Sequence, residues 1–276
     1  MGGGGSELTR LSGGENCMLG IAAGMATKAI NYPLLNWKNC SQQSLPISFN
    51  PKVVYRGLPM AMMNLGGTTG VQFGTTGFFQ KMIKGAGYGP DVCVNGGAFL
   101  GGLASGIPCS LWELTMIQQQ RFGGSILGTP VRIAKDHGAG MLMRGLTCTL
   151  GRESLFTLAM LGITPTIQLK LVEDYKLDKN VGLAAGALIG SILSATLTHP
   201  MDTIKTCMQG DLEGKKYTTV KGTGAELIKD NGVAKGLFKG LGWRITLIAT
   251  TFFLVNKFKQ VLAPVMFPSK DEPEKK

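Results

Sequence analysis

The chain alternates long uncharged stretches with short charged ones. Gly57 to Gln80 and Val92 to Trp112 contain no ionisable residue, Leu146 to Leu169 carries only Arg152 and Glu153, and Val181 to Met201 carries only His199. Each is about long enough to cross a hydrocarbon core as a helix. Two further segments complete the set: Asn16 to Trp37, interrupted by Lys28 alone, and the shorter uncharged run Ile245 to Asn256. The pattern predicts six helical spans, none strongly hydrophobic. That weakness suits helices lining a water-filled cavity, whose inner faces are polar.

Composition narrows the class. Glycine accounts for 41 of 276 residues, roughly twice the usual share, and only 16% of residues are charged against an ordinary quarter or so. The glycines have no period of three, which excludes collagen. The uncharged stretches are too apolar for a disordered chain. Few charges and much glycine argue against a large water-soluble enzyme and suit helices whose backbones approach closely in a membrane. The net charge of +11 fits either nucleic acid or an anionic lipid surface. Lys and Arg lie between uncharged stretches and form no patch with stacking aromatics, so lipid is favoured over nucleic acid. Cysteines at 17, 40, 93, 109, 148 and 207 form no CxxC pair, and only His137 and His199 accompany them. No metal cluster and no catalytic constellation is expected, and the thiols read as small apolar fillers.

Self-similarity is the most informative feature. With Pro33, Leu111 and Pro200 as anchors, equal offsets place Gly20, Ala98 and Ala187, then Gly24, Gly102 and Ser191, before them. These small-xxx-small pairs predict flat faces for close helix packing. Equal offsets after the anchors place Gln42, Gln120 and Gln209, followed by Tyr55-Arg56-Gly57, Met143-Arg144-Gly145 and Phe238-Lys239-Gly240. The third copy reads Pro200-Met201-Asp202-Thr203-Ile204-Lys205. This pattern resembles the mitochondrial carrier family, over residues 14 to 263.

The resemblance implies an all-α membrane protein of six tilted transmembrane helices in three pseudo-symmetric repeats, with short matrix surface helices. The implied units are a flexible tail (1–13), repeats at 14–90, 91–178 and 179–264, and a charged tail (265–276). It also implies a matrix gate in which the acid of each odd helix pairs with the base of the next. The acid positions here hold Leu35, Glu113 and Asp202, and the base positions Lys38, Met116 and Lys205. Glu113 is then expected to meet Lys205, and Asp202 to meet Lys38. Leu35 and Met116 replace the third pair as a unit, which leaves no orphaned charge; orphaning one partner would cost about 3–5 kcal/mol. Gln42, Gln120 and Gln209 are expected to brace this ring. The opposite gate lacks its acids, so Gln80, Gln168 or apolar packing must close it.

Ionisable residues at membrane depth are functional candidates. Substrate positions implied by the family fall at Asn64, Arg152 and Leu247, with Glu153 adjoining and Lys28 on the first odd helix. Arg152 is suited to a carboxylate and Glu153 to an ammonium; the bland alternative is that the two satisfy one another. Trp37, Trp112 and Trp243 read as interfacial anchors. The expected matrix segments total +8 and the intermembrane ones +1, which orients both termini toward the intermembrane space. Helices opening at Arg56-Gly57, Arg144-Gly145 and Lys239-Gly240 are expected to receive the phosphates of cardiolipin. No other cofactor is expected. Residues 1 to 6, MGGGGS, read as a myristoylation pattern or as a flexible linker.

Two functions follow. The first is a non-enzymatic solute carrier of the mitochondrial inner membrane exchanging a small carboxylate or amino-acid-like metabolite. The second is a degenerate carrier fold serving as an accessory subunit of a respiratory or ATP-synthase complex.

Overall fold

A computed structural model of the chain describes residues 13–159 and 163–267. The expectations about MGGGGS and the charged tail from residue 269 onward lie outside them. Helix α1 (Gly13–Gln42) leads through a short α2 (Pro51–Val54) to α3 (Leu58–Gly85). Helix α4 (Pro90–Phe122) leads through α5 (Gly128–His137) and a 3-10 turn (Ala139–Met143) to α6 (Leu146–Leu158) and α7 (Thr164–Glu173). Helix α8 (Lys179–Gly210) leads through α9 (Val220–Leu237) to α10 (Leu241–Met266). Neighbour contacts close a ring: α1 with α3, α3 with α4, α4 with α6, α6 and α7 with α8, α8 with α10, and α10 back to α1.

The turn into each of α3, α6 and α10 is built the same way. Gly57, Gly145 and Gly240 cap these helices at φ/ψ of 83/3, 79/7 and 82/5. Only glycine adopts this left-handed conformation without cost. Each also touches the next odd helix: a Cβ would come within 3.1 Å of Met116 O, 3.2 Å of Lys205 Cγ and 3.1 Å of Lys38 O, respectively. The carbonyl before each glycine finds a buried donor. Tyr32 Oη donates to Arg56 O at 2.5 Å and Gln209 Nε2 to Arg144 O at 3.1 Å. His199 Nε2 lies 3.0 Å from Lys239 O, so that nitrogen carries the proton.

Glycine also sets the close approach of α4 to its neighbours. Side chains at Gly97 and Gly101 would strike Gln80 and Thr76 of α3, and one at Gly102 would come within 2.6 Å of Ser154 Cα on α6. Gly186 and Gly190 of α8 meet Gln168 and Thr164 of α7 in the same manner. Gly20 departs from the packing role expected of it, since nothing lies within 4 Å of its Cβ position.

Three helical stretches among the described residues are long and apolar enough to cross a membrane: 90–122, 181–210 and a segment within 220–266, with mean hydropathies of 1.3, 1.7 and 1.3. Six were expected. Helix α1 falls short because Lys28, Asn31, Asn36, Lys38 and Asn39 interrupt it, and α3 because Gly, Thr, Asn and Gln dilute its apolar residues. Helices α6 and α7 cover the expected stretch 146–169 on either side of residues 160–162, which lie outside the described ones. Pro165 removes one N–H from the ladder there, and the Thr164 hydroxyl donates to Ala159 O at 2.9 Å.

Beyond α8, Asp211 gathers the loop before α9, accepting backbone N–H groups from Lys215, Lys216 and Tyr217 at 3.2, 2.8 and 2.9 Å. Partial burial pushes its carboxyl up, but these donors win and hold it below the usual carboxylate range.

Gly145→Ala is expected to lower the melting temperature in detergent by an amount equivalent to about 1–2 kcal/mol. Gly74→Ala, in a helix with nothing within 4 Å, is expected to be neutral or mildly stabilising. Equal effects would contradict the conformational argument.

Candidate functional site

The interior at the level of the helix prolines is a buried ionic network. Asp202 is 2% exposed, and Lys38 Nζ donates to its Oδ2 at 2.7 Å. Lys205 Nζ reaches its other oxygen at 3.4 Å and Glu113 Oε2 at 2.7 Å. Arg152 Nη2 lies 2.9 Å from Glu113 Oε2 and 2.6 Å from Glu153 Oε1, and its Nε lies 3.8 Å from Asp202. Arg244 Nη1 stands 3.8 Å from Asp202 Oδ2. Helices α1, α4, α6, α8 and α10 therefore converge on three carboxylates. Such burial is tolerable only because every acid meets a cation and further donors.

Amide side chains complete the layer. Gln42 Nε2 donates to Asp202 Oδ2 at 2.9 Å and to Thr203 Oγ1 at 3.2 Å. Gln120 Nε2 donates to Tyr32 Oη at 3.0 Å while its Oε1 accepts from Asn39 at 2.8 Å. Gln209 Nε2 also donates to Ser110 O at 3.2 Å. Leu35 and Met116 meet in an apolar cluster with Tyr32, Met60, Ala61 and Ile117. The sector between α1 and α4 is thus closed by packing where its neighbours carry ion pairs.

The other expected site residues are scattered more widely. Lys28 and Leu247 line a cavity of about 440 Å³ with Leu65 and Phe156. Asn64 accepts from Thr68 Oγ1 at 2.7 Å within its own helix. Arg152 and Glu153 pair with each other, and Arg152 turns its guanidinium on Glu113. The basic side chains that precede the capping glycines differ: Arg56 is exposed, Lys239 Nζ donates to Ser44 Oγ at 2.6 Å, and Arg144 is committed to Met208 O at 2.7 Å and Tyr217 O at 2.5 Å. Gln168 gives its amide to Leu183 O at 2.8 Å. Trp37 donates to Ser48 O at 2.9 Å and lies 5.3 Å from the Trp243 ring, while Trp112 fills the space a side chain at Gly67 would need. Among the described residues no His, Cys, Asp and Glu group is arranged for a metal, and Cys40, Cys93, Cys109, Cys148 and Cys207 are free thiols.

Residues 178–264, covering α8 to α10, match the family model described as mitochondrial carrier protein. The mitochondrial substrate carrier family protein ucpB of Dictyostelium discoideum is 33% identical over 125 residues, 43% of this chain and 40% of that one. Over these segments the chain is similar to mitochondrial carrier proteins. A probable S-adenosylmethionine carrier 2, chloroplastic, of Arabidopsis thaliana is 28% identical over 90% of this chain and 74% of its own. A mitochondrial glycine transporter of Vanderwaltozyma polyspora is 46% identical, over only 23% of this chain and 20% of that protein. The chain spans less than half the length of the first curated relatives that it matches. These relatives are named as carriers and transporters, not enzymes.

Three residues that the repeated motif and the family pattern do not single out, Arg244, Tyr32 and His199, also belong to this buried layer. Arg244 donates to Thr198 Oγ1 at 2.9 Å, and its other terminal nitrogen lies 3.5 Å from His199 Nδ1. Tyr32, Ser110 and His199 each precede an anchor, and all are fully buried. Comparing that position across the copies reveals them. Arg244 similarly stands out against Ala61 and Thr149, its counterparts four residues past each capping glycine.

Asp202→Asn removes the anion shared by the most cations and is expected to destabilise the protein by about 3–5 kcal/mol. Glu153→Gln, which changes one edge of the network, is expected to cost about 1–3 kcal/mol. Thermal unfolding of both variants in detergent checks the order, and the reverse order would displace Asp202 from the centre.

Proposed function

We propose that the protein is a six-span, three-repeat solute carrier that exchanges a small carboxylate or amino-acid-like metabolite by alternating access, with both termini toward the intermembrane space. The observation that carries this reading is the pairing of Lys38 with Asp202 and of Lys205 with Glu113, at 2.7 Å each, across three odd-numbered family helices, α1, α4 and α8. Relatives named as glycine and S-adenosylmethionine carriers support solute transport as the activity.

In this reading the ion pairs close the matrix side, Leu35 and Met116 seal the remaining sector, and Gln42, Gln120 and Gln209 stiffen the closed ring. Arg152 is tied to the gate, because it binds Glu113 at 2.9 Å. An incoming carboxylate competes with Glu113 for that guanidinium and so weakens the gate as it binds. A ligand shifts such an equilibrium only by its differential affinity for the two states, and competition for a shared cation supplies that difference. The positively polarised N-termini of α3, α6 and α10, beside Gly57, Gly145 and Gly240, are the places for cardiolipin phosphates.

The test is uptake by cardiolipin-containing proteoliposomes preloaded with a panel of amino and oxo acids. Exchange of at least one solute is expected, and Arg152→Ala is expected to reduce it at least tenfold while the protein stays folded. Absence of exchange for every solute, with stoichiometric co-purification in a respiratory or ATP-synthase complex, would sink the transport reading in favour of an accessory subunit.

A further inference from the structure

The ionic network leaves an imbalance beside the cavity. Lys38, Lys205, Arg152 and Arg244 face Glu113, Asp202 and Glu153, four cations against three anions. Lys28 adds a fifth cation on the cavity wall. Among the described residues its ammonium has no hydrogen bond or ion pair, although Glu113 and Arg152 lie within electrostatic reach of it. The adjoining residue, Thr27, lines the same cavity, is 1% exposed, and its hydroxyl has no partner either. An ammonium and a hydroxyl that both line this cavity without a partner, in a region already carrying excess positive charge, form a place for one anionic group.

Among the other residues lining the cavity there is no acid to pair with an ammonium and no second cation to pair with a carboxylate. Leu65, Phe156 and Leu247 supply apolar wall. Two polar wall residues are already engaged: Thr251 donates to Leu247 O at 2.6 Å and accepts from Asn31 at 3.0 Å, and the Asn256 amide donates to Phe252 O at 3.0 Å. The nearby acid that an ammonium would need, Glu153, spends Oε1 on Arg152 at 2.6 Å and on the Cys109 thiol at 3.6 Å. Moving an unpaired ammonium or second carboxylate against the apolar wall carries a desolvation penalty with no compensating partner.

We infer that this cavity takes a monocarboxylate with an apolar body and no amino group, its carboxylate held by Lys28 and Thr27. This rests on the carrier reading and narrows it, selecting the carboxylate over the amino-acid-like alternative. The two carboxylate oxygens accept from the ammonium and the hydroxyl, and the hydrocarbon part lies on Leu65, Phe156 and Leu247. Lys28 is here the anion anchor, while Arg152 remains a gate partner until the ring opens.

Probes that share a skeleton separate the classes: 4-methyl-2-oxopentanoate and hexanoate as monocarboxylates, leucine as the zwitterion, and glutarate as the dicarboxylate. Each is titrated onto the full-length protein in detergent, reading the ligand-induced rise in melting temperature, and then tested for exchange in proteoliposomes. At least one monocarboxylate is expected to stabilise the protein at concentrations where leucine and glutarate do not. Lys28→Gln should weaken that binding about tenfold or more, Lys28→Arg should restore most of it, and Thr27→Val should produce a smaller loss. The unliganded melting temperature of each variant checks folding; removing an unpartnered charge should not lower it. Equal or better stabilisation by leucine or glutarate, no response to either monocarboxylate, or an affinity indifferent to Lys28→Gln overturns the inference. Exchange of leucine or glutarate alone overturns it while sparing the carrier reading. Binding of a monocarboxylate that depends on Lys28, without exchange of any solute, supports the ligand class and removes the carrier reading.

Discussion

Asp202 is the residue around which the interior is organised. Its carboxylate accepts from Lys38 on α1 and Lys205 on its own helix, and Arg152 of α6 and Arg244 of α10 approach it at 3.8 Å. A carboxylate so deeply buried is expensive to desolvate, and cations arriving from several helices offset that cost only when those helices are correctly placed. The requirement runs both ways: the ring must close for the charge to be tolerated, and the charge gives the ring a defined register. Much of the remaining architecture serves this placement, from the glycine caps that bring α6 and α10 against Lys205 and Lys38 to the amides of Gln42 and Gln209.

The ring is not chemically symmetric. Between α1 and α4 there is no ion pair; Leu35 and Met116 sit in an apolar cluster capped by Tyr32, whose hydroxyl bridges Arg56 O and Gln120. An apolar contact lacks the directionality of an ion pair, and the hydrogen-bonded tyrosine restores some of it. On the opposite side, His199 performs the same carbonyl-capping task and presents its second nitrogen to Arg244. Similar backbone geometry is therefore supported by a phenol, an amide and an imidazole in turn. The αL glycines fix what must be satisfied, and the side chains satisfy it by whatever route local space allows.

Asymmetry extends to the cavity. Arg152 and Glu153 are committed to the network, while Lys28 and Thr27 on the facing helix are uncommitted among the described residues. A site that recognises a solute and a gate that responds to it need to be coupled, and Glu113 and Arg152 of the ionic network lie within electrostatic reach of Lys28 on the cavity wall. Transport by such an arrangement needs no covalent chemistry. It needs only that the solute bind the open and closed states with different affinity.

Much of this was legible in the sequence, for identifiable reasons. Equal offsets from Pro33, Leu111 and Pro200 fix which positions share a helix face, because a helix turns by a constant angle per residue. The glycines at helix entrances therefore follow from counting, and the resemblance to the carrier family implies which acid meets which base. Counting could not say where a long side chain turns once helices are assembled. Arg152 reads from sequence either as a carboxylate site or as the partner of Glu153; the structure shows the second at 2.6 Å and adds Glu113 at 2.9 Å. Gly20 was read as a packing residue and faces open space. Arg244 drew no notice because its importance depends on Asp202 and His199, far away in sequence. Sequence by itself determined the helical framework, the repeated motif and the choice of charges, since these are periodic and local. Only the tertiary structure decided which charges are spent and which stay free, because shifts of a few ångströms between helices govern contacts that fade steeply with distance in a low-dielectric interior.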